Sequence, residues 1–299
     1  MMKKILFIFN PTAGRGKIKG KLFEIIDTFA KHGFRVNVYP TQQKGDATSI
    51  IANDPEQYDL LVCAGGDGTL NEVITGAMYA GKTIPIGYIP VGSMNDVAHS
   101  LKISRNIKNA AKNIMIGKLF SMDVGKFNDK YFIYVAAFGA FTDVPYTTSQ
   151  KNKNAIGTLS YYLEGISKIS DLKERHVKVE YDDKVIEDDF IIGMVTNSLY
   201  IGGFKSVGYD NTRLNDGLFE MLLIKMPRNI FDLEIIVSSL LNLRINESFM
   251  YYIQAPKFTI TSEMMEWTLD GEFGGGHERV EIEICNKAVK MLCNSYHDK

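Results

Sequence analysis

Apolar and polar residues follow two different rhythms along the chain. Up to about residue 120, short apolar runs such as 4–9 alternate with segments whose apolar residues recur at helical spacing, such as 18–29. Four such alternations with right-handed crossovers predict a doubly wound, mostly parallel α/β sheet. The predicted strands are 4–9, Val36–Tyr39, Asp59–Ala64 and Ile84–Ile89, and the predicted helices are 18–29, Ala47–Ala52, Leu70–Ala80, Asn95–Leu101 and Ile107–Ile116.

After about residue 122, the pattern changes to strands separated by turn residues. Asn128-Asp129-Lys130 and Asp182-Asp183 each separate two apolar runs, which is a hairpin signal. Mostly antiparallel strands predict an all-β, sandwich-like second domain. Its predicted strands are Met122–Phe127, Tyr131–Phe138, Val177–Tyr181, Lys184–Ile192, Leu218–Ile224, Phe249–Ile253, Lys257–Thr261, Glu266–Leu269 and Val280–Ile284, with helices at Thr158–Ser170 and Ile230–Leu241.

The chain of 299 residues is long enough for two domains, which we expect at 1–125 and 126–299. About the last 15 residues are free to pack back on the first domain. The net charge of −1 argues against nucleic-acid binding, which normally needs a basic surplus. Three widely spaced cysteines favour a reducing compartment, and no apolar run approaches the length of a membrane span. We therefore expect a cytoplasmic protein.

Glycine clusters follow three of the predicted strands, at Asn10–Lys17, Gly65–Thr69 and Pro90–Asp96. The carboxyl ends of parallel strands form the usual ligand site of an open α/β sheet. Glycines let backbone N–H groups approach phosphate oxygens closely. A Walker A loop does not fit, because Leu22 stands where the motif needs a hydroxyl residue. A GxGxxG fingerprint does not fit either, because Lys19 stands at its third glycine. A carboxylate inside such a loop, Asp67, would repel phosphate unless a divalent cation stands between them.

These loops resemble the diacylglycerol kinase catalytic domain superfamily, which includes sphingosine and ceramide kinases. Gly65-Gly66-Asp67-Gly68-Thr69 with Asn71-Glu72 resembles its nucleotide signature, whose core NAD kinases and phosphofructokinases share. Further segments resemble its other motifs in the expected order: Asn10-Pro11, Thr41 with Gly45-Asp46-Ala47, Pro90–Asp96, Leu214–Leu218 and Leu269–Glu272. The sequence departs from the pattern at Ser93, Met94 and His99. Soluble bacterial diacylglycerol kinases and related lipid kinases are the nearest resemblance.

The resemblance implies a first domain of the NAD-kinase and phosphofructokinase type and MgATP-dependent phosphorylation of a lipid hydroxyl, with diacylglycerol giving phosphatidic acid. Asp67 and Asp96 would hold the catalytic Mg²⁺. The implied nucleotide-binding residues are Asn10, Pro11, Thr12, Ala13, Gly14, Thr41, Gly66, Asp67, Gly68, Thr69, Leu70, Asn71, Glu72 and Ser93.

Two further acidic groups are expected in the second domain. Residues two apart in a strand share a face, so Asp270 and Glu272 would address one site, with Glu272 as proton acceptor aided by Asp270 or the reverse. The resemblance also implies a structural Mg²⁺ bound by the Asp216 side chain and the carbonyls of Arg213 and Leu218. The alternative is a plain turn at Asn215-Asp216-Gly217.

Three interpretations of the function are compatible with the sequence: a lipid kinase, an NAD kinase, and a catalytically silent nucleotide-binding regulator. A lipid kinase would act as a peripheral protein at the membrane surface, and a homodimer is compatible with the sequence. Exposed basic clusters give weak, salt-sensitive contact with anionic lipid. The candidate clusters are Arg15-Lys17-Lys19-Lys21, Lys102-Arg105-Lys108-Lys112 and Lys151-Lys153.

Overall fold

The computed structural model describes residues 2–54, 56–139, 172–201, 204–206 and 212–294. The chain divides into two compact units, the first of Met1–Asp123 with Asn286–Lys299 and the second of Val124–Cys285. The first stretch of the first unit ends close to the predicted boundary after residue 125. The predicted helix Thr158–Ser170 and the cluster Lys151-Lys153 lie outside the described residues.

The first unit is built on four parallel strands, of which three are largely buried on both faces and the fourth, at the sheet edge, is partly exposed. They are β1 (Lys3–Phe9), β2 (Phe34–Pro40), β3 (Leu60–Gly65) and β4 (Ile86–Pro90), in the sheet order β2-β1-β3-β4. Met291 and Leu292, at the end of the chain's last strand, pair in parallel with β4. The glycine loops that follow β1, β3 and β4 therefore emerge at the same edge of the sheet.

Helices cover the sheet of the first unit. They are α1 (Ala13–Gly16), α2 (Leu22–Lys31), α3 (Asp46–Asn53), α4 (Asp67–Tyr79), α5 (Asp96–Ser100) and α6 (Ile107–Ile116). Apolar residues of α2 and α6, including Phe29 and Ile114, pack with Ile5 and Phe7 of β1. Helix α3 packs on α4, where a Cβ on Gly76 would lie 2.9 Å from Ile51. The mixed α/β character predicted for this part is confirmed.

The second unit is rich in strands, as predicted. Its elements are β5 (Lys118–Phe127, beginning in the first unit), β6 (Lys130–Phe132), β7 (Val135–Gly139), β8 (Arg175–Tyr181), β9 (Lys184–Thr196), β10 (Tyr200–Ile201), β11 (Phe204–Lys205), β12 (Phe219–Lys225), α7 (Ile230–Leu241), β13 (Met250–Ala255), β14 (Lys257–Leu269) and β15 (Glu272–Cys293, ending in the first unit). The sequence predicts a sandwich. The described strands are joined by hydrogen bonds along the path β13-β12-β9-β7-β14-β15. In addition, β8 pairs with both β9 and β14, β5 pairs with β15 and β6, and β10 pairs with β11.

Both faces of this sheet are covered with apolar side chains. One face packs around Trp267, which contacts Phe127 and Phe138 at ring-centroid distances of 5.1 and 5.0 Å. The other face packs against α7 through residues such as Leu233 and Ile236. The second unit therefore has two apolar cores, one formed among its strands around Trp267 and one formed between strands and α7.

Two predicted strand boundaries in the second unit are wrong for a long-range reason. The predicted strand Tyr131–Phe138 is divided into β6 and β7, because the backbone N–H groups of Ile133, Tyr134 and Val135 donate to the side chain of Asp270. The predicted strands Lys257–Thr261 and Glu266–Leu269 are one strand, β14, with a register shift between Thr261 and Met265. Strand-period patterns do not detect such an irregularity, because a bulge shifts the alternation of faces.

Candidate functional site

The first glycine loop follows β1 and is closed by the side chain of Asn10. Its Oδ1 accepts the backbone N–H groups of Thr12 (2.9 Å) and Ala13 (3.2 Å) and the Thr12 hydroxyl (2.8 Å). Gly14 has a φ of 57°, and a Cβ there would lie 2.0 Å from the carbonyl oxygen of Val91. Asn10 therefore shapes the loop, and Gly14 allows it to lie against the loop that follows β4.

The second loop joins β2 to α3 and is held by Glu72 of α4. The Glu72 carboxylate accepts the N–H groups of Gly45 (2.9 Å) and Ala47 (3.3 Å), and its carbonyl accepts the Thr48 hydroxyl (2.9 Å). Thr41 is buried, and its N–H donates to the last residue of β1 at 2.9 Å. The two carboxylate oxygens of Glu72, which the sequence analysis assigns to the nucleotide, thus bind the start of α3.

The turn Gly65–Thr69 ends β3 and begins α4. Gly66 is the N-cap residue, and its carbonyl accepts the N–H of Leu70 at 3.1 Å. A Cβ on Gly65 would lie 2.4 Å from the Thr69 side chain, so the turn can close only with glycine there. The first N–H groups of a helix have no acceptor within the helix, and the helix dipole favours an anion beside them. The start of α4 can therefore cradle a phosphate.

Two carboxylates, Asp67 and Asp96, stand at the starts of α4 and α5. Burial and the neighbouring charge of Asp96 raise the pKa of Asp67 to about 7, although backbone N–H groups of residues 95–97 act in the opposite direction. One of these donors, the N–H of Val97, lies 3.3 Å from Asp67 Oδ1. Asp96 is only 1% exposed. Two crowded carboxylates fit a divalent cation, which would favour the ionised form of both.

The loop after β4 is fixed by Asn95 and Tyr88, to which the sequence analysis assigned no role. Asn95 has a φ of 60°. Its Oδ1 accepts hydrogen bonds from the Gly92 N–H at 2.9 Å and from the Tyr88 hydroxyl at 3.2 Å. Its Nδ2 donates to the Gly92 carbonyl at 2.9 Å. A Cβ on Gly92 would lie 2.5 Å from the Cα of Gly66, so two glycine loops touch backbone to backbone. The position of Asn95 inside a glycine motif indicates a role in the loop from the sequence alone. Tyr88 lies in an apolar strand, and the sequence does not indicate its contact with Asn95.

The tip of the same loop carries Ser93, whose side chain is exposed. Nη2 of Arg105 donates to the Ser93 carbonyl at 3.1 Å, and Nη1 of Arg105 lies 3.3 Å from Nε2 of His99. In the sequence, Arg105 stands out only as part of a basic cluster. Its guanidinium braces the loop and adds a positive charge beside it.

The carboxylate of Asp270, in the second unit, is bound by backbone. Asp270 and Gly271 form the two-residue turn between β14 and β15, with φ values of 49° and 80°. The carboxylate accepts the N–H groups of Ile133 (2.7 Å), Tyr134 (3.0 Å) and Val135 (3.0 Å). Asp270 is 9% exposed. Its side chain therefore ties the turn to the start of β7.

Glu272 differs from Asp270 in position and exposure. It is the first residue of β15 and is exposed. The prediction that both carboxylates share one strand face is wrong, because Asp270 lies in a left-handed turn before the strand begins. Three backbone donors thus occupy the Asp270 carboxylate, whereas Glu272 is an exposed residue.

Asp216 lies in the bend that precedes β12, where its Oδ1 accepts the N–H of Leu218 at 3.1 Å. Four residues after Asp216, Glu220 is 2% exposed, and its Oε1 accepts a hydrogen bond from Nε2 of Gln254 at 3.1 Å. Burial and, to a smaller extent, the charge of Asp216 raise the pKa of Glu220 to about 8. In the part of the chain that the structure describes, no three His, Cys, Asp or Glu residues are grouped to hold a metal ion. A cation at Asp216 would thus need carbonyl and water ligands, which Mg²⁺ accepts.

The predicted residues divide between the two units. The first unit brings together the four loops that carry Asn10, Pro11, Thr12, Ala13, Gly14, Thr41, Gly66, Asp67, Gly68, Thr69, Leu70, Asn71, Glu72, Ser93 and Asp96, and the second unit carries Arg213, Asp216, Leu218, Asp270 and Glu272. The Leu70 side chain is fully buried, so only its backbone can reach a ligand. Among the described residues, no helix is both long enough and apolar enough to cross a lipid bilayer.

Comparison with known proteins gives consistent matches. The family model of the diacylglycerol kinase catalytic domain matches residues 4–127, which contain all four loops. The diacylglycerol kinase of Bacillus subtilis (strain 168) is 34% identical over 92% of this chain and 91% of its own length. That of Staphylococcus carnosus (strain TM300) is 36% identical over 92% of this chain and 90% of its own length.

Solved structures from Bacillus anthracis (strain Sterne) share the fold. One has a TM-score of 0.85 and 26% identity, with 98% of both chains covered. Another, described as a diacylglycerol kinase, has a TM-score of 0.77 and 25% identity, covering 98% of this chain and 97% of its own.

Proposed function

Because the chain belongs to the diacylglycerol kinase catalytic domain family, we propose that it transfers the γ-phosphoryl group of MgATP to the hydroxyl of diacylglycerol and so forms phosphatidic acid. The family and the kinase class predicted from the sequence are confirmed by relatives that match 92% of the chain. The pairing of Asp67 with Asp96 beside a glycine-lined helix start carries the proposal. Carboxylates next to phosphate-binding N–H groups suit a metal-bound polyphosphate better than a free phosphate.

The nucleotide phosphates are proposed to lie between the first loop and the start of α4. Backbone N–H groups at Gly66, Gly68 and Thr69 hold phosphate oxygens, and those of Leu70 and Asn71 complete the first turn. The Thr41 and Ser93 hydroxyls add polar contacts, and the loop Asn10–Gly14 covers the opposite side. Glu72 acts indirectly, since its carboxylate orients the loop that carries Thr41.

Asp67 and Asp96 are the proposed ligands of the catalytic Mg²⁺, directly or through water. When bound, Mg²⁺ would neutralise the negative charge that develops on the phosphate oxygens during transfer. The side chains hold it in place because Asp67 is fixed by the start of α5 and Asp96 is buried. A second cation, structural rather than catalytic, is proposed at the Asp216 carboxylate and the carbonyls of Arg213 and Leu218.

Glu272 is the proposed general base. It accepts the proton of the lipid hydroxyl as the new O–P bond forms and the bond between the γ-phosphorus and the ADP oxygen breaks. Asp270 is a positioning residue in this proposal. Its carboxylate, bound by three N–H groups, holds the turn from which Glu272 begins β15.

The lipid acceptor places the reaction at a membrane surface. Diacylglycerol stays in the bilayer, so the protein must work as a peripheral protein. The exposed cations of Arg15, Lys17, Lys19 and Lys21 follow directly after the first glycine loop and suit anionic lipid.

The direct test is a transfer assay with γ-labelled ATP and Mg²⁺, offering diacylglycerol in mixed micelles and, separately, NAD. We expect labelled phosphatidic acid from the wild type and a rate reduced by about 10²–10⁴-fold in Glu272→Gln. Glu278→Gln, which alters another exposed carboxylate of β15, is the matched control and should keep the wild-type rate. Labelled NADP would instead identify an NAD kinase, and equally slow turnover by the wild type and Glu272→Gln would identify a regulatory protein.

A further inference from the structure

Phe23 is the most exposed large hydrophobic side chain in the part of the chain that the structure describes, at 81%. It is the second residue of α2, and the neighbouring apolar positions Ile25 and Phe29 are buried in the core. A single exposed apolar residue is common on protein surfaces and needs no explanation by itself. The charges around Phe23 make this one different.

The segment from Thr12 to Phe23 contains four cations and no acidic residue. Arg15, Lys17, Lys19 and Lys21 are all exposed. Lys21 pairs with Glu24 at 2.8 Å, whereas the other three form no ion pair with any described residue. Ile18 is fully buried and fixes this segment to the core of the first unit. An exposed aromatic ring is therefore bordered by positive charge that the protein itself leaves unneutralised.

Phe231 offers a contrasting case in the same molecule. It is 70% exposed near the start of α7, but its neighbours Asp232 and Glu234 are acidic. The two phenylalanines thus match in side chain, in exposure and in their place near a helix start. The acidic residues near Phe23, Glu24 and Asp27, are paired with Lys21 and Lys31, whereas Asp232 and Glu234 form no ion pair with any described residue. Of these two residues, Phe23 is the one that combines an apolar group able to enter a bilayer with unpaired cations that attract anionic headgroups.

We propose that Phe23 is an interfacial anchor that inserts its ring into an anionic lipid bilayer while Lys17 and Lys19 contact the headgroups. The inference rests on the proposed function, since a lipid acceptor requires contact with a bilayer. It adds the orientation, because α2 begins at the same sheet edge as the glycine loops. Anchoring through Phe23 brings the phosphate-binding edge of the first unit towards the lipid surface.

The binding test is sedimentation with vesicles of phosphatidylcholine, with and without phosphatidylglycerol. Phe23→Ala should weaken binding to the anionic vesicles by about tenfold, since it removes the buried apolar area of one ring. Lys19→Glu should weaken it by more than about fivefold and make the remaining binding less sensitive to salt. Phe231→Ala should leave binding unchanged. A loss with Phe231→Ala and none with Phe23→Ala would overturn the proposal.

Fluorescence provides a readout that does not depend on affinity. The chain has a single tryptophan, Trp267, which is fully buried. In Phe23→Trp, we expect anionic vesicles to shift the added emission to the blue and brominated acyl chains to quench it, with neither effect in Phe231→Trp. Unchanged emission from Phe23→Trp on vesicles that bind the protein would refute insertion. A lower molar mass of Phe23→Ala in light scattering without vesicles would assign the ring to a contact between copies instead.

Kinase assays separate this proposal from the proposed function. Phe23→Ala should keep the wild-type rate on a short-chain, monomeric diacylglycerol and lose most of its rate on diacylglycerol in anionic vesicles. Equal losses on both substrates would contradict an anchoring role. If the wild type phosphorylates neither substrate but still binds vesicles through Phe23, the proposed function fails and the anchor stands.

Discussion

Tyr134 and Asp270 are joined by two hydrogen bonds. The backbone N–H of Tyr134 donates to the Asp270 carboxylate at 3.0 Å, and the Tyr134 hydroxyl donates to the Asp270 carbonyl at 2.9 Å. The pair connects the start of β7 to the turn that precedes Glu272, although 136 residues separate the two in sequence. Glu272, the proposed proton acceptor, thus follows a turn that is held by the two hydrogen bonds between Tyr134 and Asp270.

Removing the Tyr134 hydroxyl should loosen this turn without disturbing the core. We expect Tyr134→Phe to lower the free energy of unfolding by about 1 kcal/mol, the usual contribution of one such hydrogen bond. A less ordered Glu272 should lower kcat severalfold while KM for ATP stays constant. Urea unfolding and steady-state kinetics measure both, and an unchanged kcat would show that the hydroxyl has only a structural role.

Substitutions of Asp270 and of Glu272 should have different effects on the free energy of unfolding. Asp270→Ala leaves the N–H groups of Ile133, Tyr134 and Val135 without their acceptor, so we expect a loss of at least about 3 kcal/mol of unfolding free energy. Glu272→Ala removes an exposed side chain and should change stability by less than about 0.5 kcal/mol. Denaturant unfolding of the two variants checks this. Equal stability losses would contradict the division into a positioning residue and a base.

Gly92 should tolerate no side chain, because a Cβ would lie 2.5 Å from the Cα of Gly66. We expect Gly92→Ala to cost about 1–3 kcal/mol of stability as the two loops separate. It should also weaken nucleotide binding, measured by titration calorimetry. Gly20→Ala is the control, since no atom lies within 4 Å of its added Cβ and its φ is not positive. Equal behaviour of the two variants would show that the loops are free to move apart.

The buried Glu220 predicts a pH dependence of stability. Burial, followed by the charge of Asp216, raises its folded-state pKa to about 8 from 4.5 in the unfolded chain. The folded state therefore binds more protons between these two values, and stability falls as the pH rises from about 4.5 to 8. The full loss is roughly 5 kcal/mol by this linkage.

Glu220→Gln removes the ionisable group and should flatten this profile. The variant should gain stability relative to the wild type above pH 8, where the wild type holds an ionised, buried carboxylate. Urea unfolding across the pH range in the presence of EDTA provides the measurement. If the stability of Glu220→Gln falls with pH as steeply as that of the wild type, another group causes the pH dependence.

The charge of Asp96 should be visible in the titration of Asp67. Because the neighbouring negative charge raises the pKa of Asp67, Asp96→Asn should bring that pKa down from about 7. Carboxyl carbon NMR of the metal-free protein measures the shift. No change in Asp96→Asn would mean that burial alone raises the pKa.

Local patterns in the sequence were sufficient for the parts of the fold that depend on neighbours along the chain. Apolar runs such as 4–9 predicted β1, and helical spacing predicted α6 over Ile107–Ile116. The glycine motifs indicated the loops, because a turn between a strand and a helix needs special backbone angles within a few residues. The same motifs indicated the family.

Contacts between distant residues decided the rest. Nothing local to Asp270 shows that its carboxylate accepts N–H groups from residues 133–135, or that this contact divides β6 from β7. The binding of Glu72 to the start of α3 and of Tyr88 to Asn95 likewise depends on which elements the sheet brings together. The element types, the loop chemistry and the family can be recognised from the chain alone, since these rest on short-range sterics and apolar periodicity. Folding in three dimensions sets which polar side chains are bound within the fold and which, such as Glu272, stay exposed, because a hydrogen bond needs both partners within about 3 Å.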